Sequence, residues 1–123
     1  MQDLMVNLEN KPGTLAQMGE VLGAAGINIE GIAGMTDPAP HMHVLVESAQ
    51  LAREALKDAG IECGGEREVE VISVIDQPGE MGRILRKVAD GGINVDLVYM
   101  ATSTRLVLGS EDVAALRAAL HAT

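Results

Sequence analysis

Two stretches of this 123-residue chain carry the same polar and glycine groups at the same spacing. Residues 10–30 read NKPGTLAQMGEVLGAAGINIE and residues 76–96 read DQPGEMGRILRKVADGGINVD. Asn10 precedes Asn28 by 18 positions (28 minus 10), and Asp76 precedes Asn94 by 18 (94 minus 76). Each Asn supplies a donor and an acceptor, Asp76 offers a charge to an ammonium, and Gly13 and Gly79 leave the backbone open to close approach. These are groups that bind. A second cluster, His41-Met42-His43, would place two imidazoles on one face of a strand, with Asp37 near in sequence. Two His without a third fixed ligand are a thin basis for a divalent-metal site, so a solvated hairpin end is the preferred reading and no metal is expected. Cys63 is the single cysteine, which excludes an intrachain disulfide and a CxxC motif; with no neighbouring His or base it reads as an inert, half-buried thiol. No Ser-His-Asp set, phosphate loop or metal triad is present, so neither catalysis nor a cofactor is expected.

The elements that must position these groups repeat too. Pro12 and Pro78, Gly13 and Gly79, Gly26 and Gly92, and Asn28 and Asn94 all stand 66 apart (78 minus 12, 94 minus 28). A gapless period of that length indicates duplication of one supersecondary unit. In the first copy Leu4, Val6 and Leu8 alternate with polar or flexible residues and predict a half-buried strand. The Asn10–Gly13 turn follows, and Thr14 with Gln17 fits a capping box, Thr14 being the N-cap. Leu15, Met18, Val21 and Leu22 keep helical spacing up to Gly26. Ile27-Asn28-Ile29 opens a second strand, Met42–Glu47 is a third, Ser48 caps a second helix with Leu51, Ala52, Ala55 and Leu56 on one face, and Ile61–Cys63 is a short fourth strand. Gly64-Gly65-Glu66-Arg67 reads as the hinge between copies.

The second copy predicts strands at Val69–Ile75, Ile93–Thr102 and Arg105–Gly109, a helix carrying Met81, Ile84, Leu85 and Val88, and a last helix capped by Ser110-Glu111-Asp112. Its first strand shifts phase between Val71 and Ile72, which a bulge or burial on both faces would explain. Pairing Ser110 with Ser48 gives an offset of 62 (110 minus 48), hence a hairpin loop four residues shorter. The expected fold is α+β: two tandem ferredoxin-like (βαββαβ) modules, residues 1–65 and 66–123, packed side by side, the second lacking its last strand.

The strand, the Asn/Asp-x-Pro-Gly turn, the helix and the Gly-Ile-Asn-Ile/Val stretch resemble the ACT domain, a family of small ligand-binding regulatory modules. The resemblance covers nearly the whole chain, twice. It implies a pseudo-dimer that holds a small effector, such as an amino acid, between its two modules. The positions it implies are Asn10, Pro12, Gly13, Thr14, Leu15, Asn28 and Ile29 in the first copy. In the second they are Asp76, Pro78, Gly79, Glu80, Met81, Asn94 and Val95. A zwitterion suits such a place, because a helix N-terminus offers N–H groups to a carboxylate. The first copy is similar to the serine-binding regulatory module of phosphoglycerate dehydrogenase, but Leu8 stands where that module usually has a polar His. Glu80 puts an anion where a carboxylate would dock, so the two sites are expected to be unequal. The alternative for the turns and for Asn28 and Asn94 is a purely structural role, in starting helices and satisfying local backbone.

Composition narrows the partners. Tyr99 is the one aromatic residue, so stacking platforms are absent, and the net charge of −9 argues against nucleic acid and anionic membrane. No apolar run reaches the roughly 18 to 20 residues of a spanning helix, no leader is visible, and a reducing cytoplasm is the default. The expected role is that of a regulatory protein that binds an amino acid or similar metabolite and acts as a homodimer or on a metabolic enzyme. The competing reading is an interaction module without ligand that pairs through an open sheet edge.

Overall fold

The computed structural model describes residues 1–122. The chain divides into two compact units, Met1–Arg67 and Glu68–Thr123. The first runs β1 (Gln2–Asn7), α1 (Thr14–Ala24), β2 (Gly31–Met35), β3 (His41–Val46), α2 (Ala49–Asp58) and β4 (Cys63–Glu68). Its strand order is β4-β1-β3-β2, with β1 and β2 both antiparallel to β3. This is the ferredoxin-like βαββαβ arrangement.

Alternation sets which face of the sheet the helices cover. Leu4 and Val6 of β1 and Val44 and Val46 of β3 point to one side, where Met18 and Leu22 of α1 and Ala49, Ala52 and Leu56 of α2 meet them. All are essentially inaccessible. Each such Leu contributes about 1.5–3 kcal/mol through burial. Leu51, expected on the buried face of α2, is 57% exposed; it lies one position before Ala52, about 100° round the helix from the core stripe. Ser48 does cap α2, its hydroxyl accepting from Leu51 N–H at 3.2 Å.

The second unit runs β5 (Glu70–Ser73), α3 (Glu80–Asp90), β6 (Leu97–Ala101), β7 (Arg105–Gly109) and α4 (Val113–Leu120). Its strands order β6-β7-β5, all antiparallel neighbours. Ile84 and Val88 of α3, Leu106 and Leu108 of β7, and Leu116 and Leu120 of α4 form its core. Among the described residues no strand follows α4, and no helix is long and apolar enough to cross a membrane.

Several boundaries differ from the sequence expectation. Ile27–Ile29 lies outside β2, which starts at Gly31; Ile27 and Ile29 instead pack on the core. Residues 64–67 extend β4, anchored by Arg53, whose guanidinium donates to Gly64 O at 2.7 Å and pairs with Glu66 at 3.4 Å, and the division between the two units falls directly after them. No bulge interrupts β5, which pairs residue for residue with β7, and Val71 and Ile72 are both partly covered. Within the expected capping segment 110–112 it is Asp112 that is the N-cap of α4, accepting from Ala115 N–H at 2.9 Å, so the residue to pair with Ser48 is Asp112. The offset from Ser48 is therefore 64 (112 minus 48), and the second hairpin loop, 102–104 against 36–40, is two residues shorter rather than four.

Candidate functional site

Each unit builds the same cleft at the turn that leads into its first helix. In the first unit, Gly13 is the N-cap of α1 at φ 94°, a left-handed conformation that costs an L residue strain. Gln17 N–H donates to Gly13 O at 2.9 Å and closes the first helical turn. Thr14 is therefore not the N-cap and there is no capping box. It is the first helical residue, and its hydroxyl donates to Glu9 O at 2.7 Å, with Lys11 O at 3.1 Å. The hydroxyl thus ties the turn to the helix, because the positive φ of Gly13 turns the preceding backbone back over it.

Beside that turn lies a cleft of about 490 Å³. Its apolar wall includes Leu8, Leu15, Ile32, Met35, Pro40 and Met42, and its polar rim includes Glu9, Asn10 and Lys11. Leu15, Ile32 and Met35 are each more than two-fifths exposed. On the rim Lys11 Nζ stands 2.9 Å from Glu9 Oε2, both side chains largely in solvent. The hydrogen bond and charge of Lys11 hold the Glu9 carboxyl below its ordinary pKa, and Glu9 raises that of Lys11.

The second unit repeats the geometry with other chemistry. Gly79 caps α3 at φ 87°. A cleft of about 460 Å³ is lined by Ile75, Asp76, Gln77, Glu80, Met81 and Met100, among others. These stand at offset 66 from Glu9, Asn10, Lys11, Thr14, Leu15 and Gly34, which line the first cleft. Glu80 is only 6% exposed. Its carboxylate accepts from Ile75 N–H at 3.1 Å and from Arg83 Nε at 2.8 Å. The Arg83 hydrogen bond, then the Ile75 N–H, hold its pKa below the ordinary value against a smaller effect of burial.

The other expected positions fall elsewhere. Pro12 and Pro78 shape the exposed turns. Asn28 and Asn94 are exposed and line neither cleft; Asn28 donates to Glu30 Oε2 at 2.5 Å. Ile29 and Val95 pack on their units' cores. The structure therefore brings together Asn10, Thr14 and Leu15 in one cleft and Asp76, Glu80 and Met81 in the other.

The histidines of β3 are 5.4 Å apart, ring centroid to ring centroid. His41 Nδ1 sits on Ala39 O at 2.6 Å, and His43 Nδ1 on Asp3 Oδ2 at 2.9 Å. The carboxylate that His43 meets is thus that of Asp3, 2% exposed. Nothing in the local sequence marks this pair, whose members lie 40 residues apart. Among the described residues no group of three His, Cys, Asp or Glu side chains is placed to hold a metal ion. Burial pushes the Cys63 thiol pKa up, Arg53 opposing.

Residues 3–60 match the sequence profile of the ACT domain. None of the curated proteins is a significant sequence match. Among solved structures, a protein of Bacteroides thetaiotaomicron superposes with a TM-score of 0.83 at 24% identity, over 97% of this chain and 85% of that one. The regulatory subunit of aspartate kinase from Thermus flavus gives 0.69 at 24% identity, over 98% and 89%. The corresponding subunit from Thermus thermophilus, in its ligand-free form, gives 0.67 at 24% identity, over 96% and 88%. These likenesses establish a shared fold.

Proposed function

We propose that this chain is a non-catalytic regulatory protein built of two tandem ACT modules, which binds an amino acid or a similar small metabolite. The observation that carries this reading is the recurrence of one cleft, at one place, in both units. The ACT match over residues 3–60 supports it, as does the likeness in fold to regulatory subunits of aspartate kinase. Both clefts fall within the size range of small-molecule sites. Ligand binding regulates only if it favours one of two states, so the chain is expected to change its association with itself or with an enzyme when loaded.

A thermal-shift screen against the twenty amino acids and common divalent metals tests the reading. A ligand at 100 times its Kd stabilises by about 2.7 kcal/mol, a shift of many degrees for a unit of this size. A hit on an amino acid supports the proposal, and the absence of any hit at millimolar ligand refutes it. Loss of the hit in Asn28→Ala or Asn94→Ala would extend the site to the residues ahead of β2 or β6; survival confines it to the clefts.

A second reading has one observation in its favour. Among the described residues β5 has a single neighbour, β7, and offers an open edge, and edges recruit strands. A partner or second copy that adds a strand there, with no ligand dependence, would establish an interaction module. Sedimentation velocity with and without the amino acids distinguishes the two.

A further inference from the structure

We infer that the first unit, and not the second, holds the ligand, and that this ligand is an α-amino acid with an apolar side chain, its carboxylate on Lys11 and its ammonium on Glu9. The inference rests on the small-molecule reading above and names the chemistry of that site.

The two clefts share a frame and differ in charge. In the first, opposite charges stand side by side on the rim, Lys11 Nζ 2.9 Å from Glu9 Oε2. An exposed pair of this kind contributes little to stability, so a zwitterion can insert between its members at small cost and satisfy both. Below the pair the wall is hydrocarbon and thioether: Leu8, Leu15, Ile32, Met35 and Met42. Several of these side chains are exposed in the free protein, and covering them with an apolar side chain is favourable in proportion to the area removed from water. A hydroxymethyl side chain gains little there, so serine is disfavoured.

At the matching positions of the second unit the pair is missing. Glu9 corresponds to Ile75 and Lys11 to Gln77. The anion in that cleft, Glu80, is already committed to Ile75 N–H and Arg83, and Asp76 adds a second negative charge to the lining. Such a cleft repels a carboxylate, while the first complements both ends of an amino acid.

Isothermal titration calorimetry of the full chain tests this with three probes: L-leucine, L-leucinamide, which lacks the carboxylate, and 4-methyl-2-oxopentanoate, which lacks the ammonium. The wild type is expected to bind one L-leucine per chain, at least tenfold more tightly than L-serine. Lys11→Gln, which installs the residue of the second unit, should weaken L-leucine at least tenfold and leave L-leucinamide unchanged. Glu9→Gln should weaken L-leucine and leave the oxo acid unchanged. Both side chains are exposed, so circular dichroism and Tm should stay at wild-type values. Two L-leucine per chain, or a Lys11→Gln affinity within twofold of wild type, would overturn the inference. If L-leucine does not bind while an amino acid with a polar or charged side chain stabilises the protein, this inference alone fails; another apolar amino acid that binds in its place, and is weakened at least tenfold by Lys11→Gln, supports it; if no amino acid binds, the reading beneath it fails as well.

Discussion

Alanine placed at two glycines of α1 should move stability in opposite directions. Gly13 stands at the N-cap with φ 94°, and Gly19 lies in mid-helix. An added Cβ would meet no heavy atom within 4 Å at either position, so packing drops out of the comparison and the backbone decides. An L residue in the left-handed region costs about 1–2 kcal/mol, so Gly13→Ala should destabilise by that amount. In the helix interior alanine is favoured over glycine by about 0.5–1 kcal/mol, so Gly19→Ala should stabilise. The two variants then differ by roughly 1.5–3 kcal/mol. At about 4–8 °C per kcal/mol for a unit of this size, their melting temperatures separate by roughly 6–24 °C. Urea titrations should show the same order in midpoint with slopes unchanged. Gly79→Ala, at φ 87°, and Gly82→Ala, also with no atom within 4 Å, repeat the experiment in α3. A Gly13→Ala protein as stable as wild type would refute the claim that the turn before α1 requires a left-handed residue.

Gly34→Ala should act on the first cleft directly: its Cβ would collide with Met42 Sδ, forcing that flexible side chain to turn. Overpacking of this kind costs about 1 kcal/mol at the low end, and calorimetry should show weaker ligand binding with a modest loss of Tm. Leu22→Ala removes a fully buried side chain between α1 and the sheet and should cost about 2–5 kcal/mol, measured by urea unfolding. For Glu80 the folded pKa lies below the ordinary 4.5, so its stabilising effect is complete above that value and fades as pH falls through the folded pKa. Between about pH 3 and pH 6 the Tm of Glu80→Gln should fall less steeply on acidification than that of wild type. Thr104, in the hairpin loop between β6 and β7, carries φ 52°; Thr104→Gly should raise Tm by relieving about 1 kcal/mol or more of strain.

Legibility in the sequence followed the range of the interactions involved. The turn, α1 and the strands that alternate cleanly could be placed because their periods are local properties: Leu4, Val6, Met18 and Leu22 reach the core as their spacing implies. Helix caps were half legible. Ser48 caps α2 as expected, but Thr14 was misplaced by one position, because a left-handed glycine can take the N-cap itself and leave the Thr hydroxyl to the loop. The extent of β4 was not legible, since Gly64-Gly65 resembles a linker and becomes a strand only through Arg53 and the register with its neighbour. The Asp3–His43 pair was invisible for a similar reason. Its partners meet only when β1 is laid against β3 with Met5 opposite His43.

The clefts carry that distinction into function. A duplicated sequence reproduces frame at the level of backbone: α1 and α3 start one residue after a glycine of positive φ, and both have 11 residues. The frame alone would predict two equal sites. Charge breaks the equality, because positions 9, 11 and 14 hold Glu, Lys and Thr while 75, 77 and 80 hold Ile, Gln and Glu. In the first unit a hydroxyl secures the turn, and the two charges remain on the rim, paired with each other. In the second a carboxylate secures it, drawing Arg83 and the Ile75 N–H to itself. The same mechanical task of fastening the turn to the helix is thus done by a neutral group in one copy and an anion in the other. That choice leaves complementary charges beside an apolar wall in the first cleft alone. Installing Glu9 and Lys11 at positions 75 and 77, together with Glu80→Thr, should therefore confer L-leucine binding on the second unit and raise the stoichiometry from one to two per chain.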